Sequence, residues 1–182
     1  MATGFLLHLP FGLRTAPFLF DLSTKAANWI ITAVLLWAIV LHYLEDIFAI
    51  LALQANAIVY SYQFDQVYNE LGLSVNYSKD AIGTKADFVG IEFDSILMQA
   101  RLPPDKLHRA RNTAQGLLKK PTIPHSELES AVGVLSFAAK IVVPGRAFLR
   151  RLFNASRRPV AILHITAAMR ADLLWWHTFL KD

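Results

Sequence analysis

The sequence predicts an α+β chain in which antiparallel hairpins pack on helices and a helical lobe follows. Three observations point there. Residues 39–51 form two short runs of β-branched and aromatic residues, split by Glu45-Asp46. Residues 88–100 form a second such pair around Asp94-Ser95. After Pro103-Pro104, apolar residues recur at helical rather than alternating spacing. A chain of 182 residues can bury a proper core, and 54% hydrophobic against 18% charged residues excludes a disordered chain.

In chain order, Leu9-Pro10-Phe11-Gly12-Leu13 reads as a turn. Ala16-Pro17 opens a helix with proline in its first turn, running to about Val34. Strands on either side of Glu45-Asp46 come next, joined at the carboxylates. Successive strand residues face opposite ways, so both carboxylates reach one site only at a tight turn. Residues 53–71 repeat apolar positions at helical spacing (Ile58, Tyr62, Phe64, Val67, Tyr68, Leu71), and Gly72 is placed to stop that helix. Residues 88–100 follow as a hairpin turning near Asp94-Ser95. Helices are then expected over about 105–119, 125–139, 145–155 and 166–180, the second opened by a Ser126/Glu129 capping box.

Charge divides unevenly along the chain. Residues 1–100 hold four Lys or Arg against nine Asp or Glu, and residues 101–182 hold fourteen against five. This predicts an acidic site in the first part and an anion-binding surface in the second, with nucleic acid the obvious polyanion. The absence of cysteine excludes disulfides, thiolate metal sites and a thiol nucleophile, and the six histidines lack zinc-site spacing. Ala26 to Leu44 carries no formal charge, so a membrane-anchored protein spanning 26–44 is an alternative reading. A buried helix running into a buried strand gives the same hydropathy. The amino terminus has no basic region and Pro10 interrupts its apolar stretch, so no signal peptide and an intracellular location are expected.

Glu45-Asp46 is the sharpest clue. Two adjacent carboxylates between apolar runs need a cation, a turn reaching water, or both. Trp175-Trp176 fits helix packing better than base stacking. Arg150-Arg151 and Arg157-Arg158 form either a solubilising face or a phosphate-binding stripe, and clustering with Lys119-Lys120 and Arg146 favours phosphate.

Several strings stand in a telling order: Leu9-Pro10-Phe11-Gly12-Leu13-Arg14-Thr15-Ala16-Pro17, Tyr43-Leu44-Glu45-Asp46, Asn76-Tyr77-Ser78-Lys79, and Phe88-Val89-Gly90-Ile91-Glu92-Phe93-Asp94. Together they resemble the reverse transcriptases of tyrosine-recombinase and gypsy-like retrotransposons. Leu102 to Leu107, Val143 to Arg150 and Ala171 to Trp176 resemble the later thumb and the connection towards a ribonuclease H domain.

The resemblance implies a partial polymerase palm over 1–101, an all-helical thumb over 102–158 and the start of a connection over 159–182. It implies an RNA-directed DNA polymerase of a retrotransposon, binding template–primer and, in the intact relative, transferring nucleotides with Mg2+ or Mn2+. Glu45 and Asp46 would hold the metal, and Lys79 would assist the departing pyrophosphate. Pro10, Phe11, Gly12, Arg14 and Tyr43 would line the nucleotide and template pocket. Phe88, Gly90 and Ile91 would form the primer grip. Lys119, Lys120, Arg146, Arg150 and Arg151 would hold the RNA/DNA duplex by its phosphates, and deoxynucleoside triphosphates would be the other partners. The family has Asp where this chain has Glu45, and a third carboxylate before the Leu-Pro-Phe-Gly turn. None of residues 1–8 is acidic. The expectation is therefore a fragment inactive alone, or a non-catalytic nucleic-acid-binding remnant.

Overall fold

The computed structural model describes residues 14–35, 38–44, 46–52, 56–73, 75–77 and 80–180. It is a mixed α+β structure with small antiparallel sheets and, among the described residues, six α-helices. The chain divides into two compact units, Met1–Val89 and Gly90–Asp182.

In the first unit, α1 (Ala16–Val34) starts with Pro17 in its first turn and buries Thr24, Ala27 and Ile31, one stripe at helical spacing. It ends where Leu35 leaves the helical region (φ −94°, ψ 68°), its N–H still bonded to Ile31 O. β1 (Ala38–Tyr43) and β2 (Asp46–Leu51) then pair antiparallel from Ala38↔Leu51 to Tyr43↔Asp46. The apolar stretch 26–44 is thus half helix and half strand. Among the described residues no helix is long and apolar enough to cross a membrane, which removes the reading of a helical span over 26–44.

Asn56 caps α2 (Ala57–Glu70), its Oδ1 accepting from the N–H groups of Ile58 and Val59. Gly72, at φ +69°, ends it as the sequence predicts, with Leu73 N–H returning to Tyr68 O. Among the described residues the buried core of this unit is Ala27, Ile31, Leu35, Val67 and Tyr68. β3 (Lys85–Phe88) closes the unit, Phe88 stacking on Phe48 of β2 with centroids 5.2 Å apart.

The second unit begins with Gly90 and β4 (Ile91–Asp94), which pairs antiparallel with β5 (Gln99–Arg101) around the expected turn. The string 88–94 is not one strand as expected. Val89 and Gly90 both take positive φ (51° and 73°), which breaks the extended run. Glycine adopts that conformation freely; a β-branched valine does so at a cost of about 1–2 kcal/mol.

Next come α3 (Pro104–Leu118), α4 (His125–Ala138), a 3-10 helix (Val143–Leu149), α5 (Arg150–Ser156) and α6 (Ala167–Phe179). Each of the longer helices offers a stripe to one core: Ala110, Ala114 and Leu117; Leu128, Leu135 and Ala138; Met169, Leu173 and Trp176.

Two details depart from expectation. A short ladder pairs β6 (Thr122–Pro124) with β7 (Ile162–His164), so the region expected to be wholly helical carries a strand. The Ser126/Glu129 capping box is not formed. α4 starts at His125 after Pro124 with no side-chain cap, and Glu129 Oε2 instead stands 3.5 Å from His125 Nδ1. With the helix begun two residues before a Ser126 cap would allow, Ser126 is already inside the first turn and cannot cap it.

Candidate functional site

The strands on either side of Glu45-Asp46 meet in a tight hairpin. Tyr43 pairs directly with Asp46, leaving two residues between the paired positions. A loop this short demands left-handed backbone, and Leu44 supplies it at φ 53°. Leucine holds that conformation at a cost of about 1–2 kcal/mol. Asp46 is exposed immediately after it. As an exposed hard oxygen donor Asp46 fits a divalent cation. Its expected companion Glu45 lies outside the described residues.

Directly opposed residues of an antiparallel pair share a face. Tyr43 and Asp46 therefore share the face of Ile39, Leu41, Phe48 and Ile50. His42 occupies the other face, which α1 covers. There a polar cluster forms that sequence reasoning missed. Asp21 Oδ2 stands 2.7 Å from Lys25 Nζ, Asp21 Oδ1 stands 3.4 Å from His42 Nε2, and Asn28 Nδ2 lies 3.2 Å from His42 Nδ1. The signal was present in the i, i+4, i+7 spacing of Asp21, Lys25 and Asn28, but nothing local ties His42 to it. The hydrogen bond from Lys25, with its charge and a smaller contribution from His42, holds the Asp21 carboxyl below the usual carboxylate range. Pro17, Phe18, Asp21, His42, Tyr43 and Leu44 line an open cleft of about 350 Å³. Asp21 and Asp46 thus serve opposite faces of the hairpin. Among the described residues no three His, Asp or Glu side chains gather to hold a metal ion.

Other expected site residues fall as follows. Pro10, Phe11, Gly12 and Lys79 lie outside the described residues, while Arg14 is exposed just before α1. In the first unit Phe88 is spent on its stack with Phe48. In the second, Gly90 is favoured by its positive φ, and a Cβ there would stand a tight 3.2 Å from Phe137 Cζ. Ile91 begins β4 and is half-buried. The adjacent Asp94 is a structural residue that sequence reasoning took only for a turn. Buried, it accepts from Ile96 and Leu97 N–H through Oδ1 and from Arg101 Nη2 at 2.9 Å through Oδ2.

The expected phosphate-binding residues separate into two kinds. Lys120 Nζ is held by Glu127 at 2.6 Å, and its carbonyl accepts from Arg170, which also bonds Leu118 O. That end of α3 is a structural knot, with Lys119 exposed beside it. Arg146, Arg150 and Arg151 are exposed along the 3-10 helix and α5. Arg150, Arg151, Ala147 and Asn154 line an open concavity of about 390 Å³. Trp176 is fully buried, and Trp175 stacks between Phe148 at 4.1 Å and Phe179 at 4.8 Å, so this pair packs as the sequence indicates. No protein-family model matches the chain, and no curated protein matches it.

Proposed function

We propose that this chain is part of an RNA-directed DNA polymerase of retrotransposon type. Its own contribution is to bind a template–primer duplex through the basic second unit, and nucleotidyl transfer belongs to the intact relative. The observation that carries the reading is the hairpin tip: Tyr43 opposite Asp46 across a two-residue loop, with Leu44 forced to φ 53°. Backbone strain of this kind is retained where the surroundings over-determine it, commonly at functional sites. It supports the string around Tyr43, one of those that prompted the resemblance.

Asp46, with Glu45, would supply the oxygen ligands for Mg2+ or Mn2+. When bound, such an ion stabilises negative charge building on phosphoryl oxygens. Tyr43 and Leu44 bound the cleft at the same tip. The exposed arginines of the second unit would neutralise backbone phosphates and set register without reading sequence.

The test is paired. The full chain should bind an RNA/DNA primer–template with steep salt dependence. Three phosphate contacts give a log–log slope of about −2.7, so a fourfold rise in salt weakens binding about 40-fold. In primer extension with Mg2+ or Mn2+ the chain alone should yield no product. Template-dependent extension that Asp46→Asn abolishes would overturn inactivity of the chain alone; binding indifferent to salt would remove the duplex-binding role.

A further inference from the structure

We propose that the concavity on α5 is a phosphate-binding notch in which buried Asp172 is the positioning residue for Arg151. The ligand is a phosphodiester group of a nucleic-acid strand, and this rests on the duplex-binding reading above. Arg150, Arg151 and Asn154 lie one to four residues apart on one short helix, and with Ala147 they line the 390 Å³ hollow. Two guanidinium groups and a side-chain amide there present only donors or a switchable donor to an anion.

Asp172 of α6 turns this cluster from a basic face into a site. Its side chain is 4% exposed, while that of Arg151 is 58% exposed, and Arg151 Nη1 donates to Asp172 Oδ1 at 2.7 Å. The bond occupies one of five guanidinium N–H groups and anchors the head from its inner side. Asp172 Oδ2 is buried and makes no hydrogen bond. A carboxylate half satisfied among Met169, Leu173 and Trp176 is a poor choice for packing alone. Its evident gain is a long exposed side chain fixed in one rotamer before ligand arrives. That removes ordering entropy from binding, and it leaves the planar fork free for the two oxygens of a phosphate.

The proposal makes a prediction opposite in sign to simple electrostatics. Asp172→Asn raises the net charge by one, so a merely basic surface would bind nucleic acid more tightly. Loss of positioning should instead weaken duplex binding about five-fold at fixed salt. Arg151→Lys keeps the charge on a side chain that is 58% exposed. It should also weaken binding about five-fold with the salt slope unchanged, because the fork is lost. Arg151→Ala should flatten the slope by about 0.9. Binding of the full chain to a primer–template duplex is measured by fluorescence anisotropy across a salt series, with circular dichroism confirming the fold. Should Asp172→Asn fail to fold, Arg151→Lys decides the matter.

Parent-like or tighter binding by a folded Asp172→Asn, or parent-like binding by Arg151→Lys, overturns the notch and leaves the duplex-binding reading standing. A parent chain that binds no duplex overturns both. Binding to phosphatidylserine vesicles but not to duplex, with the same dependence on Arg151, overturns the assignment to nucleic acid in favour of a lipid headgroup.

Discussion

Replacing Gly145 with alanine tests the packing that supports the basic surface. Gly145 lies in the 3-10 helix that carries Arg146 and leads into α5. A Cβ built there would stand 2.3 Å from Trp176 Cη2 and 2.4 Å from Cζ2. Carbon atoms in ordinary contact sit about 3.5–4.0 Å apart, so ring or backbone must yield by more than ~1 Å. Trp176 has no exposed surface and meets Trp175 edge-on at 5.4 Å, which leaves its ring little room to retreat. Overpacking typically costs about 1–3 kcal/mol, and this site belongs at the upper end, about 3 kcal/mol. For a domain near 100 residues that corresponds to a Tm lowered by about 12–24 °C. Gly116→Ala and Gly133→Ala are the controls. Both positions are helical with nothing within 4 Å of a new Cβ, so each should gain about 0.5–1 kcal/mol. Urea unfolding followed by circular dichroism reads all three. A Gly145→Ala midpoint equal to the parent's, or controls that fall as far, would refute the packing argument.

Asn56→Ala removes the acceptor for two N–H groups at the start of α2 and should destabilise the first unit by about 1 kcal/mol; an unchanged urea midpoint would contradict the cap. Asp94→Ala frees the turn N–H groups of Ile96 and Leu97 and leaves Arg101 with one acid fewer, at a cost of about 3 kcal/mol. Asp94→Asn, which keeps an Oδ1 acceptor, should lose roughly half as much, and equal losses would count against the two-sided role. Because the carboxyl of Asp21 is held below its ordinary value, its ion pairs add stability that is present above about pH 4 and fades as pH falls through the lowered value. Unfolding of the parent and Asp21→Asn between pH 2 and 6 should therefore show a flatter acid limb in the variant; parallel limbs would sink this account.

Local grammar made most of the fold legible. Pro17 and Gly72 mark helix ends by chemistry that acts within a turn. The alternation around Asp46 and the helical spacing after Pro104 are likewise read over a few residues. What escaped depends on partners far along the chain. β6 finds β7 some forty residues later, and neither three-residue strand carries a period of its own. His42 reaches Asp21 and Asn28 only because the hairpin folds back on α1, and Asp172 meets Arg151 only when α5 and α6 pack. The capping-box reading failed differently, since a shift of two residues in a helix start moves every cap position. The turn at Val89 was hidden because valine argues for a strand and only the adjacent Gly90 for a bend.

Among the described residues the two cores differ greatly in size: five residues are buried at the centre of the first unit and twenty in the second. Hydrophobic stabilisation grows with buried area, so on warming the hairpin unit gives way first and the helical unit outlasts it. Melting should then run in two steps, with the loop that displays Asp46 lost in the earlier one and the arginines of α5 still in place between them.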